Sequence, residues 1–200
     1  MIVTRTGLST RRLDGQEDRV ARALIRNPRL SDNAIARMTD IPVMTVNRKR
    51  KKMEEEGLLS YYATINMGPK GTGRFRARYL YLIKFKLGVS QQRIVKEILE
   101  EPNVRTVFTE FIYESHMAQI DGHTALALII QGRDDYEVNN VFNNRLVASL
   151  KKNHGADSIA EVSTVRLGRP IRLFHNYVPM INMKQGRIKD DWPDEAIFVA

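Results

Sequence analysis

Apolar residues recur with a helical period through the first third of the chain, and with a period of two through much of the rest. Val20, Ala23 and Leu24 fall on one helical face, behind Asp14 and Glu17 at capping-box spacing. Pro28 lacks a backbone donor and pushes Asn27 out of helical geometry, so the first helix ends there. Ser31 is placed to cap a short second helix whose inner face is Ala34, Ile35 and Met38. After a tight turn at residues 39–42, a third helix is expected from about Pro42 to Glu56, closed by Gly57. LLSYYATIN (58–66) is rich in aromatic and β-branched residues and reads as a strand, and MGPKGTG (67–73) opens a linker.

Beyond the linker the pattern alternates. Strands are expected over 78–87, 103–113, 124–132 and 158–168, and helices over 90–101 and 135–152. GRDD (132–135) reads as the cap of the second of these helices. The order βαββαβ is that of the ferredoxin-like unit. The predicted class is therefore α+β: an N-terminal winged helix-turn-helix joined to a C-terminal βαββαβ ferredoxin-like domain. The expected divisions are a basic arm (1–12), the winged helix-turn-helix (13–66), a linker (67–77), the ferredoxin-like domain (78–170) and a C-terminal extension without a predicted fold (171–200). The connection 114–123 looks long for a hairpin.

One strand carries a further message. In TALALIIQ, Leu126, Leu128 and Ile130 alternate with Ala125, Ala127 and Ile129, so both faces are apolar. Such a strand must be covered on both sides, and two helices cover only one side of this sheet. The second cover is expected from the same sheet of another copy, across a two-fold axis. Leu126, Leu128 and Ile130, with Tyr79, Tyr81 and Phe85 of the first strand, are the predicted dimer interface. The extension 171–200, folded back over the sheet, is the alternative cover.

Charge shifts the picture toward a polyanion. The formal net charge is +9, and 15 of the 32 Lys and Arg but only 8 of the 23 Asp and Glu lie in residues 1–75. There is no cysteine, so thiolate metal sites and disulfides are excluded. The longest wholly apolar run, ALALII (125–130), is about three times too short for a bilayer. No membrane partner, metal or cofactor is expected, and the location read from these features is cytoplasmic.

The cations concentrate in TVNRKRKKMEEEGLL (45–59). At about 100° per residue, Val43, Val46 and Met53 share one arc, and Met44, Arg48 and Lys51 lie opposite. A recognition helix presents its N-terminal side chains to base edges in the major groove of double-stranded DNA. Met44, Thr45, Asn47 and Arg48 are the candidates for base contact. Lys49, Lys51, Lys52, Arg11 and Arg12 are the candidates for phosphate contact. Arg50 falls in the buried arc and is expected to bury its stem while its head turns outward.

Leu13 to Asn66 resembles the Lrp/AsnC family of transcription regulators: an opening Leu-Asp pair, RLS (29–31) before the second helix, MEEEGLL (53–59) at the end of the third, and YATI in the wing. The βαββαβ order of 78–168 is similar to that family's second domain. The resemblance implies a DNA-binding regulator that dimerises through its sheets and assembles further, up to an octamer, with a small effector such as an amino acid. Three departures are visible. Arg50 stands where the family has an aliphatic residue. Asp40 and Pro42 replace Gly and Ser at the turn. The effector pattern of Gly followed three residues later by Asp is not kept, because Ala125 follows Gly122.

A second resemblance, to siroheme decarboxylases on the same architecture, makes His116, His123 and Arg105 candidates for a tetrapyrrole site. It leaves the cations at 48–52 without a role, and no motif of tight metal-ligand spacing or nucleophile geometry accompanies it. A binding protein rather than an enzyme is the reading that uses the most residues.

Overall fold

The computed structural model describes residues 11–100 and 110–199. The chain divides into two compact units, one of residues 11–63 with 170–199, the other of residues 64–169.

The first unit opens with α1 (Gly15–Arg26), α2 (Asp32–Thr39) and α3 (Val43–Glu55). Asp14 caps α1 by accepting from Gln16 and Glu17 N–H groups, and Glu17 returns a bond to Asp14 N, so the capping box is complete. Ser31 Oγ accepts from Ala34 N at the start of α2. Asp40 takes a left-handed conformation (φ 53°) between α2 and α3, one of the few non-glycine residues that do so cheaply. Gly57 (φ 71°) ends α3 as expected. The three helices close around Val20, Ala23, Leu24, Ile35, Ile41, Val46 and Met53. Met38 does not join them and is exposed. Residues 58–66, expected as a strand, pair with no strand among the described residues. Their apolar side chains Leu58, Tyr61, Tyr62 and Ile65 are exposed, so no packed face holds them in a ladder.

The extension 170–199 completes this unit instead of covering the sheet. It carries a short hairpin, β5 (Met183–Lys184) and β6 (Arg187–Ile188), turning through Gln185 and Gly186 with positive φ at both. Val178, Ile188 and Ile197 are buried. Asn176 and Asn182 are buried too; the Asn176 amide binds the Phe198 N–H and carbonyl, and the Asn182 amide accepts from Val178 N and donates to the Asn176 carbonyl. Arg22 of α1 donates to the Asp194 carbonyl at 2.6 Å, and Arg26 to that of Lys189 at 2.6 Å. Tyr177 donates its hydroxyl to the Ile25 carbonyl at 3.0 Å. The segment from residue 170 on belongs to the same compact unit as the three helices.

The second unit is an antiparallel sheet in the order β2-β3-β1-β4, with β1 Ala77–Phe85, β2 Ile112–Ile120, β3 His123–Gly132 and β4 Ile159–Arg166. Helix α4 (Gln91–Glu100) follows β1. Helix α5 follows β3 in three continuous stretches, Asp135–Val141, a π-wound Phe142–Val147 and Ala148–His154. Asp134 caps it by accepting from Glu137 N. Gly132 lets α5 approach, since a Cβ there would meet Val138 Cγ2 at 2.7 Å.

Two expectations change here. The segment 114–123 is not a long connection but most of β2, joined to β3 by a tight turn at Asp121 and Gly122, both at positive φ. Asp-Gly is the sequence signal of such a turn. The strand expected over 103–113 falls mostly outside the described residues, and Glu110 and Phe111 are helical.

The helix-backed face of the sheet holds Tyr81, Ile83, Phe85, Leu126, Leu128 and Ile130, packed with Ile94, Val138, Phe142, Leu146 and Leu150, and with Tyr79 against them. These include all six residues predicted for the dimer interface, so that assignment is corrected: they form the unit's own core. Tyr81 stacks on Phe142 with ring centroids 3.8 Å apart, and its hydroxyl donates to Asn139 Oδ1 at 3.2 Å. The alternation could not decide the face because both sets are apolar, and the helices took the bulkier one. The opposite face carries Leu80, Leu82, Ala127, Ile129 and Val165, with Leu80 beside Ile129 and Val165, and Leu82 beside Ala127. No helix among the described residues is long and apolar enough to cross a membrane.

Candidate nucleic-acid interface

Helix α3 is amphipathic in an unusual way, because its core stripe includes a cation. Val46 and Met53 are buried, and Lys49 lies three residues after one and four before the other, on the same stripe. Its ammonium meets the Asp14 carboxylate, with Glu17 Oε1 at 3.6 Å. Glu17 is fully buried and accepts from Arg11 at 2.7 Å and 3.2 Å and from Asp14 N at 3.0 Å. Arg11 also donates from Nε to Glu56 at 2.8 Å. Lys49, which is buried, and Arg11, which is part-exposed, both predicted to contact phosphate, are instead engaged by the protein's own carboxylates. A buried charge needs a partner, and Lys49 finds its own in Asp14 and Glu17, while Arg11 pairs with Glu17 and Glu56.

The pKa values follow the same contacts. The hydrogen bond from Lys49, then that from the Glu17 N–H, holds Asp14 down to about 2. Burial pushes Glu17 up, but the bonds from Arg11 and Asp14 N outweigh it and leave it below the ordinary glutamate value.

A second lock joins α2 to α3. Asn47 Nδ2 donates to Asp32 Oδ2 at 2.7 Å. Arg50 donates to Asp32 Oδ1 at 3.2 Å, to the Leu30 carbonyl at 3.3 Å and to Glu54 Oε1 at 3.0 Å, and its guanidinium lies 5.2 Å from the Tyr61 ring centroid. Arg50 therefore turns its head outward as expected, but onto a carboxylate, where it fixes the geometry of the turn. Asn47, a predicted base contact, has its amide donor engaged by the same Asp32.

Five predicted residues remain on the outer side. Met44 is 78% exposed; Arg48, Lys51 and Lys52 are exposed; Thr45 is half-buried. Arg48 and Lys51 make no hydrogen bond or ion pair among the described residues, and Lys52 lies 3.9 Å from Glu56. Arg12 is also exposed. The structure thus separates the cations at 48–52 into two held ones and three outward ones. Sequence reasoning missed Glu17, Asp32 and Tyr61 as organisers of this surface. Glu17 had a local signal, its capping spacing, but its ion pair with Lys49 depends on how α1 packs on α3.

The candidates for a tetrapyrrole site are not brought together. His116 pairs with Ala127 and His123 begins β3, about 13 Å apart along the strand. His116 is exposed beside Glu114 at 2.7 Å, and His123 Nδ1 lies 2.8 Å from the Phe85 carbonyl oxygen. Arg105 lies outside the described residues.

A trihelical unit with an outward cationic helix and, after it in the chain, a helix-backed antiparallel sheet define a two-unit α+β fold. Residues 19–60 match the family model for winged helix-turn-helix DNA-binding. The fold of the chain is that of the Lrp/AsnC regulators. A transcriptional regulator from Neisseria meningitidis, solved as an L-Met complex, matches at TM-score 0.60 and 13% identity over 81% of this chain and 94% of that one. An AsnC family regulator from Agrobacterium tumefaciens matches at 0.59 and 16%, over 84% and 95%. AsnC of E. coli matches at 0.54 and 16%, over 82% and 97%. No curated protein matches the sequence.

Proposed function

We propose that the protein is a sequence-specific DNA-binding transcription regulator acting as a homodimer or a higher assembly. The observation that carries this reading is the outward stripe of α3. With Lys49 and Arg50 neutralised internally, the remaining cations Arg48, Lys51 and Lys52 project from one helix face beside Met44. Arg48 and Lys51 have no partner among the described residues and Lys52 has Glu56 at 3.9 Å; a phosphate backbone flanking the helix would pair all three and release counterions. Salt dependence tests it. Lys51→Ala should lower the slope of log affinity against log salt by about one and weaken all sequences alike. Lys49→Ala should destabilise the helical unit and leave that slope unchanged. Equal slopes for wild type and Lys51→Ala, measured by fluorescence anisotropy, would remove the assignment.

Self-association is the second part of the proposal, on the corrected face. Leu80, Leu82, Ala127, Ile129 and Val165 form an apolar strip on the sheet side away from the helices, with Val165 48% exposed. A second copy of the same strip, related by a two-fold axis, removes it from water. Two recognition helices then call for a pseudo-palindromic site. Leu82→Glu should yield a folded monomer by light scattering, whereas Leu128→Glu should unfold the sheet unit. A dimer that survives Leu82→Glu contradicts the proposal.

A small effector such as an amino acid is the third part. It rests on the L-Met complex of the similar Neisseria regulator. Ala125, the third residue of β3, stands where the resemblance places a carboxylate, so an effector is not expected at that end of the strand. A cavity of about 700 Å³ at the start of β1 and α5, lined by Arg74, Arg76, Glu110, Arg133, Asp135 and Arg166, offers charges of both signs to a zwitterion.

A further inference from the structure

We infer that Met44 and Arg48 together read a thymine and a guanine one or two base steps apart, and that Asn47 reads no adenine. The inference rests on the DNA-binding reading and gives that interface its base preference.

The outward stripe of α3 begins with an apolar side chain. Met44 is 78% exposed in the first turn, Val43 beside it is 38% exposed, and Met38 near the end of α2 is 56% exposed. A single exposed apolar residue is ordinary. Two in the first turn of α3 and one near the end of α2, which precedes it, make a surface suited to an apolar partner. In the major groove the apolar group on offer is the C5-methyl of thymine.

Arg48 follows Met44 by four residues, so the two share a face about 6 Å apart along the axis. Neighbouring bases rise by about 3.4 Å, which places their targets one or two steps apart. Arg48 has no bond among the described residues, so its guanidinium is free to take guanine O6 and N7 in a bidentate pair. Asn47 differs. A bidentate pair with adenine needs its amide oxygen and one N–H together in the plane of the base, and the bond its other N–H donates to Asp32, at the start of α2, turns the amide toward α2 instead. Arg50 binds the same carboxylate, which further fixes that arrangement. Lys51 and Lys52 follow at greater distance and serve the backbone. Glu55, on the same stripe, lies about 16 Å from Met44 and beyond the bases those two reach.

The test starts from a site selected out of random DNA by the full-length protein. Each thymine is replaced in turn by uracil, which removes only the methyl, and each guanine by 7-deazaguanine, which removes only N7. One uracil position per half-site should lower affinity about threefold to tenfold, and a 7-deazaguanine within two steps should lower it about fivefold or more. Met44→Ala should bind thymine and uracil sites equally, and Arg48→Ala should lose the 7-deazaguanine effect. Asn47→Ala should change no adenine preference. Tight specific binding that is indifferent to both replacements, or a thymine preference that survives Met44→Ala, overturns the inference while leaving the DNA-binding reading in place. Failure to retain any DNA at about 50 mM salt overturns both.

Discussion

Replacing Glu17 by alanine should cost the helical unit about 3–5 kcal/mol, the loss seen when one member of a buried charge cluster is removed. Glu17 is fully buried and takes bonds from Arg11 and the Asp14 amide, with Lys49 at 3.6 Å. Alanine leaves both cations short of a partner and breaks the capping box at the same time. Glutamine keeps the acceptor oxygen and the shape, so Glu17→Gln should lose less, about 1–3 kcal/mol. Against a typical stability of about 5–15 kcal/mol, the alanine variant approaches unfolding. Urea denaturation followed by circular dichroism gives the difference directly. If Glu17→Ala unfolded within about 0.5 kcal/mol of wild type, the cluster would be ornamental. The sign with pH follows from Asp14 and Glu17, whose folded pKa values are both depressed. Their contribution is present above the ordinary carboxylate range and is lost as pH falls toward about 2, where Asp14 protonates.

Removing residues 170–200 should disable the DNA-binding unit even though every residue of α1, α2 and α3 remains. Val178, Ile188 and Ile197 are buried, and each such burial is worth about 1.5–3 kcal/mol before the cost of ordering the segment. Arg26 is itself nearly buried, and its donors would lose the carbonyls of Lys189, Asp190 and Trp192 and the side chain of Asp194. The truncated chain should show the sheet unit's transition alone and no salt-sensitive DNA binding. The milder Ile197→Ala should lower the stability of the helical unit by about 2–5 kcal/mol and keep the sheet unit unchanged. A truncated protein that unfolds in two transitions like wild type, with DNA affinity intact, would show that the extension only decorates α1. The similar solved structures are covered almost completely by 81–84% of this chain, which leaves room for an added segment.

Much of this was written locally in the chain. Asp14 with Glu17, Ser31, Gly57 and Asp134 mark helix ends through bonds reaching two or three residues, so spacing alone reveals them. The three helices and the strands β1, β3 and β4 followed from periodicity, because period fixes which side chains share a face, whereas β2, with its polar residues, gave no clear period. The same local logic placed Met44, Arg48 and Lys51 on an outward stripe.

Tertiary structure decided what periodicity leaves equivalent. Leu126, Leu128 and Ile130 alternate with residues just as apolar, so only the packing of α4 and α5 determined which set is core and which lies open. Lys49 and Arg48 are neighbours of like charge, yet one is buried, because Asp14 and Glu17 come from a helix some thirty residues earlier. The extension 170–199 has almost no regular structure of its own; its fold comes from the α1 surface and from two asparagines that bind its backbone. Contacts between residues far apart in sequence leave no period and no spacing in it, and those contacts chose which cations are held and which face outward.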